Sequence, residues 1–237
     1  MKKILTLFAA LAVGMTMRAE VVPTDNGAKI TVDTLTTEVI VQSPSTVRVL
    51  KYIDQRPELH KSCVTHPALD RELKREAGNG KYKIDAGEYY VALNEKDGNV
   101  SFWSHDGNLI MAEQHRSASL TPVAGEAGGE RRYVARQDFQ IGRSGADTIT
   151  CPAATAPRLN LEGRRAEFGN ASDGLPIPYI TTEKGYGVMW KVPGPGRMDD
   201  TPGRQVKKPG DVTFTSDTAP CIDYYFIYPA PTTIEVH

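Results

Sequence analysis

Between Ala28 and Tyr52 apolar and polar residues alternate along three runs, Ala28–Val32, Thr37–Val41 and Thr46–Tyr52. Period two sends successive side chains to opposite faces of an extended chain, so these runs predict three strands, separated by Asp33-Thr34 and closed by Gln55-Arg56-Pro57. The alternation returns in Tyr82–Asp85, Glu88–Asn94, Asn99–Ser104 and Asn108–Glu113. Asp97-Gly98 and Asp106-Gly107 supply tight turns between them, which predicts a meander. In Pro67–Ala77, Leu69, Leu73 and Ala77 lie four apart and Asp70 precedes Lys74 by four. That spacing fits a short surface helix or an irregular loop.

From Ser117 to Pro157 the pattern weakens to one strand, Tyr133–Ile141, a loop at Gly125, Gly128 and Gly129, and a connector from Cys151 to Pro157. It sharpens again in Leu175–Trp190. Pro176 and Pro178 suit a strand entrance, Tyr179–Thr182 runs extended, Glu183-Lys184-Gly185 turns, and Tyr186–Trp190 returns. On the return strand Tyr186, Val188 and Trp190 share one face, which is predicted to be core. Val192–Gly210 holds four prolines and four glycines and reads as an exposed loop. Val212–Thr215 and Ile222–Tyr228 complete the set. The second is apolar on both faces, as a strand in the middle of a sandwich or under a neighbouring domain is. The fold class expected is all-β, a sandwich of antiparallel strands.

The run Ile177-Pro-Tyr-Ile-Thr-Thr-Glu-Lys-Gly-Tyr-Gly-Val-Met-Trp190 resembles the hairpin in the N-terminal β-sandwich of glycoside hydrolase family 31, the α-glucosidase and α-xylosidase family. Three further segments fit in order: the paired hairpins Tyr82–Glu113, the Leu-Asn-Leu-Glu-Gly-Arg-Arg run Leu159–Arg165, and Ile-Asp-Tyr-Tyr-Phe-Ile-Tyr at Ile222–Tyr228. Two places depart from the family pattern. No Phe-x-Gly-Leu-Gly precedes Leu159, and Lys191-Val192 stands where the family tends to place Asp-Asn.

The resemblance implies a galactose-mutarotase-like supersandwich packed beside a (β/α)₈ barrel. Family members are retaining glycosidases whose two aspartates sit on barrel loops, with no metal or organic cofactor. No Trp-x-Asp-Met-(Asn/Ser)-Glu segment occurs in this chain, so no catalytic residue is assigned. The partner implied is an α-linked oligosaccharide, reached through a missing or separately encoded barrel. Loss of the barrel is expected to leave apolar surface uncovered around Ile222–Tyr228. Two rivals stand beside this reading: an autonomous carbohydrate-binding module, marked by aromatics on one exposed sheet face, and a sugar mutarotase, marked by His105 or His115 beside a glutamate in a concave cleft.

Composition narrows the picture. A chain of 237 residues can fold as one large domain that buries about 70% of its unfolded surface. Lysine and arginine total 28 against 29 acids, which supplies no one-sided field for nucleic acid or an anionic membrane. Residues 1–19 have a leader's pattern, with Lys2 and Lys3, an apolar run Ile4–Met15 too short to span a bilayer, and Met17-Arg18-Ala19. Cleavage after Ala19 leaves a domain over 20–237 with 25 basic and 29 acidic residues, a net charge of −4. Glu20 stands where a lipid anchor needs cysteine. A periplasmic or secreted protein is expected.

In such a compartment Cys63, Cys151 and Cys221 allow one disulfide, or none, and no spacing selects a pair. No Cys-x-x-Cys or His-x-x-x-His occurs, so no metal site is assigned. Three residues are candidates for lying near substrate: Asn170 and Asp173, in the turn the family directs toward its sugar pocket, and Trp103, beside a hairpin turn. Each also has a plain reading, a turn for the first two and core for Trp103. Trp190, Tyr89 and Tyr90 divide between core and sugar stacking in the same way. Asp199 and Asp200 are adjacent, so their side chains diverge and do not flank one glycosidic bond.

Overall fold

The computed structural model describes residues 19–58, 69, 71–124, 131–140, 149–151, 159–160, 165–168, 179–182, 184–191, 195–199 and 211–229. Among these the chain forms nineteen strands and no helix. The first nine are β1 (Val22–Thr24), β2 (Gly27–Val32), β3 (Leu35–Ser43), β4 (Thr46–Ile53), β5 (Arg75–Gly78), β6 (Lys81–Asp85), β7 (Tyr90–Asn94), β8 (Val100–Trp103) and β9 (Leu109–Glu113). Then come β10 (Ser119–Pro122), β11 (Tyr133–Gln140), β12 (Ile149–Cys151), β13 (Leu159–Asn160) and β14 (Arg165–Phe168). The last are β15 (Tyr179–Thr182), β16 (Gly187–Trp190), β17 (Gly196–Asp199), β18 (Asp211–Ala219) and β19 (Ile222–Ile227).

Two antiparallel sheets pack face to face. One has the order β1-β2-β3-β4-β19-β16-β15-β12-β13. The other runs β14-β17-β18-β11-β9-β8-β7-β6-β5, with β10 also on β11. Alternation decides which residues fill the space between them. From the first sheet Val47, Val49, Val188, Trp190, Tyr224 and Phe226 point inward; from the second Ile84, Val91, Phe102, Met111, Phe139 and Phe214 meet them. Phe226 stacks on Phe102 at 3.9 Å between centroids, and Trp190 on Phe214 at 5.2 Å.

The hairpin β15–β16 has the predicted geometry. Gly185 takes φ +77° in its turn, and Tyr186, Val188 and Trp190 are fully buried. The indole N–H of Trp190 donates to Ser216 Oγ on the opposing sheet at 2.9 Å, which removes the cost of burying that donor. Gly187 faces the other way, and a Cβ there would lie 2.5–2.7 Å from the Tyr179 ring. The two glycines of Lys-Gly-Tyr-Gly thus answer different needs, a left-handed turn and a close ring.

Several expectations are corrected. Pro67–Ala77 contributes no helix to the described residues; Arg75–Gly78 pairs with Lys81–Asp85 across Asn79-Gly80, both at positive φ. An Asn-Gly turn with two left-handed residues matches strand twist, and that local geometry prevails over the four-residue spacing. Inside the supposed loop Val192–Gly210, β17 pairs with β18 and buries Met198 completely. Cys151 belongs to β12, not to a connector, and β18 extends well past Thr215. The expected apolar patch at Ile222–Tyr228 is absent: Ile222, Tyr224, Tyr225 and Phe226 are fully buried, and the one exposed large apolar residue among those described is Val22. On the outer face of β19, Tyr225 packs with Tyr179, Met189 and Ile227, and Arg48 lies over its ring at 5.3 Å.

Candidate functional site

Of the three candidates for lying near substrate, Trp103 is described, whereas Asn170 and Asp173 lie outside the described residues, as does Asp200. Trp103 ends β8 and points to the outer face of the second sheet, because Phe102 beside it points into the core. Directly opposite on β7 is Tyr90. The two rings are parallel within 3°, with centroids 6.4 Å apart. Both are half-buried. The Trp103 N–H donates to Ser101 Oγ at 2.9 Å, which holds the indole against the sheet.

Strand alternation places Lys81 and Lys83 of β6 on the same face. Lys81 Nζ lies 4.9 Å from the Trp103 ring centroid, and Lys83 Nζ lies 5.2 Å from that of Tyr90. Each ring face attracts its ammonium through the quadrupole. Neither ammonium has a carboxylate partner among the described residues. A shallow pocket of about 240 Å³ opens here, rimmed also by Glu76 and Asn79. On the other side of Trp103 a second one, of about 340 Å³, is lined by Asn108, Gln140 and Lys184. The indole therefore borders both hollows, whose linings mix polar side chains with Ala92, Leu109 and Ile110.

The remaining aromatics resolve as core. Trp190 and Tyr89 are fully buried. His105 Nε2 meets the Gly87 carbonyl at 2.9 Å, and His115 Nδ1 meets Asp97 at 2.5 Å with its ring 66% exposed. Among the described residues neither meets a glutamate in a cleft, so the mutarotase constellation is not formed there. Cys63 lies outside the described residues, Cys151 sits in β12, and Cys221 is buried beside Leu50 and Tyr52. No group of three or more His, Cys, Asp or Glu side chains gathers for a metal among the described residues.

Two buried ion pairs escaped the sequence reading. Lys51 and Glu113, with side chains 1% and 0% exposed, meet between the sheets at 2.8 Å. Tyr224 donates to Glu113 Oε1 at 2.8 Å and the Val100 N–H to Oε2 at 2.7 Å. Lys51 donates to the Gly98 carbonyl at 3.0 Å and to Thr37 Oγ1 at 3.2 Å. A signal was present: Lys51 follows Val47 and Val49 at period two, Glu113 follows Met111, and each sets a charge where alternation demands an apolar side chain. Arg48 and Asp223 form the second pair, with Nε on Oδ1 at 2.9 Å and Nη2 on Oδ2 at 2.7 Å. Burial pushes the Asp223 carboxyl above its ordinary range, and the Arg48 guanidinium opposes that rise. Both pairs join strands.

The chain has the fold of a segment of several solved family 31 enzymes. A GH31 α-xylosidase from a soil metagenome, complexed with xylose, aligns with a TM-score of 0.71 and 17% identity, over 90% of this chain and 32% of that one. A Flavobacterium johnsoniae GH31 dextranase, complexed with glucose, gives 0.60 and 11% over 88% and 25%. A xylosidase from Aspergillus niger gives 0.60 and 18% over 84% and 29%. No family model and no curated sequence matches the chain. The chain spans a third or less of the length of these enzymes, and the likeness is one of fold.

Proposed function

We propose that the chain is the accessory β-sandwich of an exported α-glycosidase of the α-glucosidase and α-xylosidase type, working on α-linked oligosaccharides together with a catalytic barrel. One observation carries this reading: the sandwich superposes over nine-tenths of its length on part of an α-xylosidase. The ordered motifs from Tyr82–Glu113 to Ile222–Tyr228 support it. The leader-like residues 1–19 support export, and no helix among the described residues is long and apolar enough to cross a membrane. The domain's role in such an enzyme is to pack on the barrel and shape one edge of its pocket, with Asn170 and Asp173 proposed to lie near the sugar.

The test is to express the chain alone and together with any barrel polypeptide encoded in or beside its gene, and to assay 4-nitrophenyl α-xyloside and α-glucoside. The expected result is no turnover by the chain alone, and co-elution with turnover when the barrel is present. Turnover by the chain alone that is abolished by Asp199→Asn or Asp200→Asn overturns the reading, as does a neighbouring barrel that neither binds the chain nor needs it. A second reading, a carbohydrate-binding module, is favoured by the parallel Tyr90 and Trp103 rings on an outer sheet face.

A further inference from the structure

We propose that the outer face of β6, β7 and β8 binds a linear oligouronide, seated across Trp103 with its carboxylates on lysine. This deepens the binding-module reading and rests on it. A flat aromatic pair by itself is suited to any pyranose, whose C–H face stacks on a ring. Here each ring already has an ammonium over it, Lys81 on Trp103 and Lys83 on Tyr90. A neutral sugar stacking there displaces both cations and gains no charge contact in return. A uronate residue keeps them in place: its carboxylate accepts charge-assisted hydrogen bonds from the ammonium groups, while its ring lies along the aromatic edge.

The two hollows add the second half of the argument. They flank the same indole, with volumes of about 240 and 340 Å³, each of the order of one or two pyranose units. Lys81 and Lys83 stand two residues apart on one face of β6, and a polymer with one carboxylate on every residue offers a charge to each. Glu76 and Asn79 at the rim of the smaller hollow supply acceptors and an amide for the remaining hydroxyls. Glu76 also disfavours a more densely charged ligand, which is why a uronide and not a heavily sulfated chain is assigned.

The test is titration of the purified protein with oligogalacturonates of four to six residues, followed by calorimetry and by tryptophan emission. Trp190 is sealed in the core, so a ligand-dependent emission change reports Trp103. Saturable binding is expected, weakened by salt and reduced about tenfold or more in Lys81→Gln/Lys83→Gln and in Trp103→Ala, with Trp103→Phe retaining most of it. Unchanged far-UV dichroism and melting of these surface variants separates lost binding from lost folding. No saturation at millimolar oligouronide, or equal affinity in the lysine variant, overturns the proposal. Tighter binding of neutral xylo- or gluco-oligosaccharides overturns the uronide assignment and leaves the binding module standing. Equal binding of a sulfated oligosaccharide reduces the face to a general anion patch and also overturns it, and silence toward every saccharide removes both readings.

Discussion

Lys51→Met tests whether the inter-sheet ion pair is part of what holds the two sheets in register. Methionine has nearly the length of the lysine stem and keeps the apolar packing, so the change removes the charge and its donors. Glu113 then keeps Tyr224 and Val100 as donors but loses its counter-ion 2.8 Å away, in a site closed to water. Breaking a buried pair from one side costs about 3–5 kcal/mol, because the surviving charge stays desolvated. The Gly98 carbonyl and Thr37 hydroxyl also lose their partner, and this places the expected value toward the upper end of that range. With a urea slope of about 3 kcal/mol/M for a domain of this size, the midpoint falls by about 1.3–1.7 M. Glu113→Gln in the Lys51→Met background removes the orphaned charge and keeps an amide oxygen for Tyr224 or Val100. The double variant should therefore be more stable than Lys51→Met, with a coupling of about 2 kcal/mol or more in the four-way cycle. Urea unfolding of all four proteins, followed by Trp190 emission and far-UV dichroism, measures it. A Lys51→Met midpoint within about 0.3 M of wild type at unchanged slope, or strictly additive single effects, would refute the argument.

Trp190→Ala should cost about 3–5 kcal/mol by vacating the stack on Phe214 and orphaning Ser216 Oγ, and an unchanged urea midpoint would contradict that placement. Gly187→Ala drives a methyl into the Tyr179 ring, so a loss of about 1–3 kcal/mol is expected, relieved when Tyr179→Leu is added; a melting point equal to wild type rules out the close approach. Burial holds the Tyr179 phenol up at about 12 and raises Tyr89 and Tyr224 as well. These groups bind their protons more tightly in the folded state, so the stability they contribute is complete below the unfolded value of about 10 and is lost as pH rises through the folded one. Absorbance at 295 nm should leave at least three of the ten tyrosines un-ionised until the protein unfolds, and ionisation of all ten in a still-folded protein would refute it.

The sequence determined most of this fold by itself wherever alternation ran unbroken between turn residues. Eleven strands, from β2 to β4, from β6 to β9, and β11, β15, β16 and β19, stand within a few residues of where alternation and its bounding turns put them. The core face Tyr186, Val188, Trp190 followed from the same rule, since a strand with one turn and one apolar stripe has one orientation that buries the stripe. For Trp103 the pattern allows either core or an outer face, and the structure sets it outward, one residue from inward Phe102.

Tertiary structure decided the rest, because local pattern carries no information about what lies across a sheet. β5 and β17 are short strands whose own residues favour a helix or a loop, and pairing with β6 and β18 settles them. β19 reads as apolar on both faces whether a barrel or its own neighbours cover it, and here Tyr179, Met189 and Arg48 lie on the outer side. Lys51 and Glu113, 62 residues apart, look like interruptions of two separate patterns until the sheets close and each becomes the other's counter-ion. The face at Tyr90 and Trp103 has the same origin: Lys81, Lys83, Tyr90 and Trp103 come from three strands, and hydrogen-bond register alone sets each ammonium over its ring.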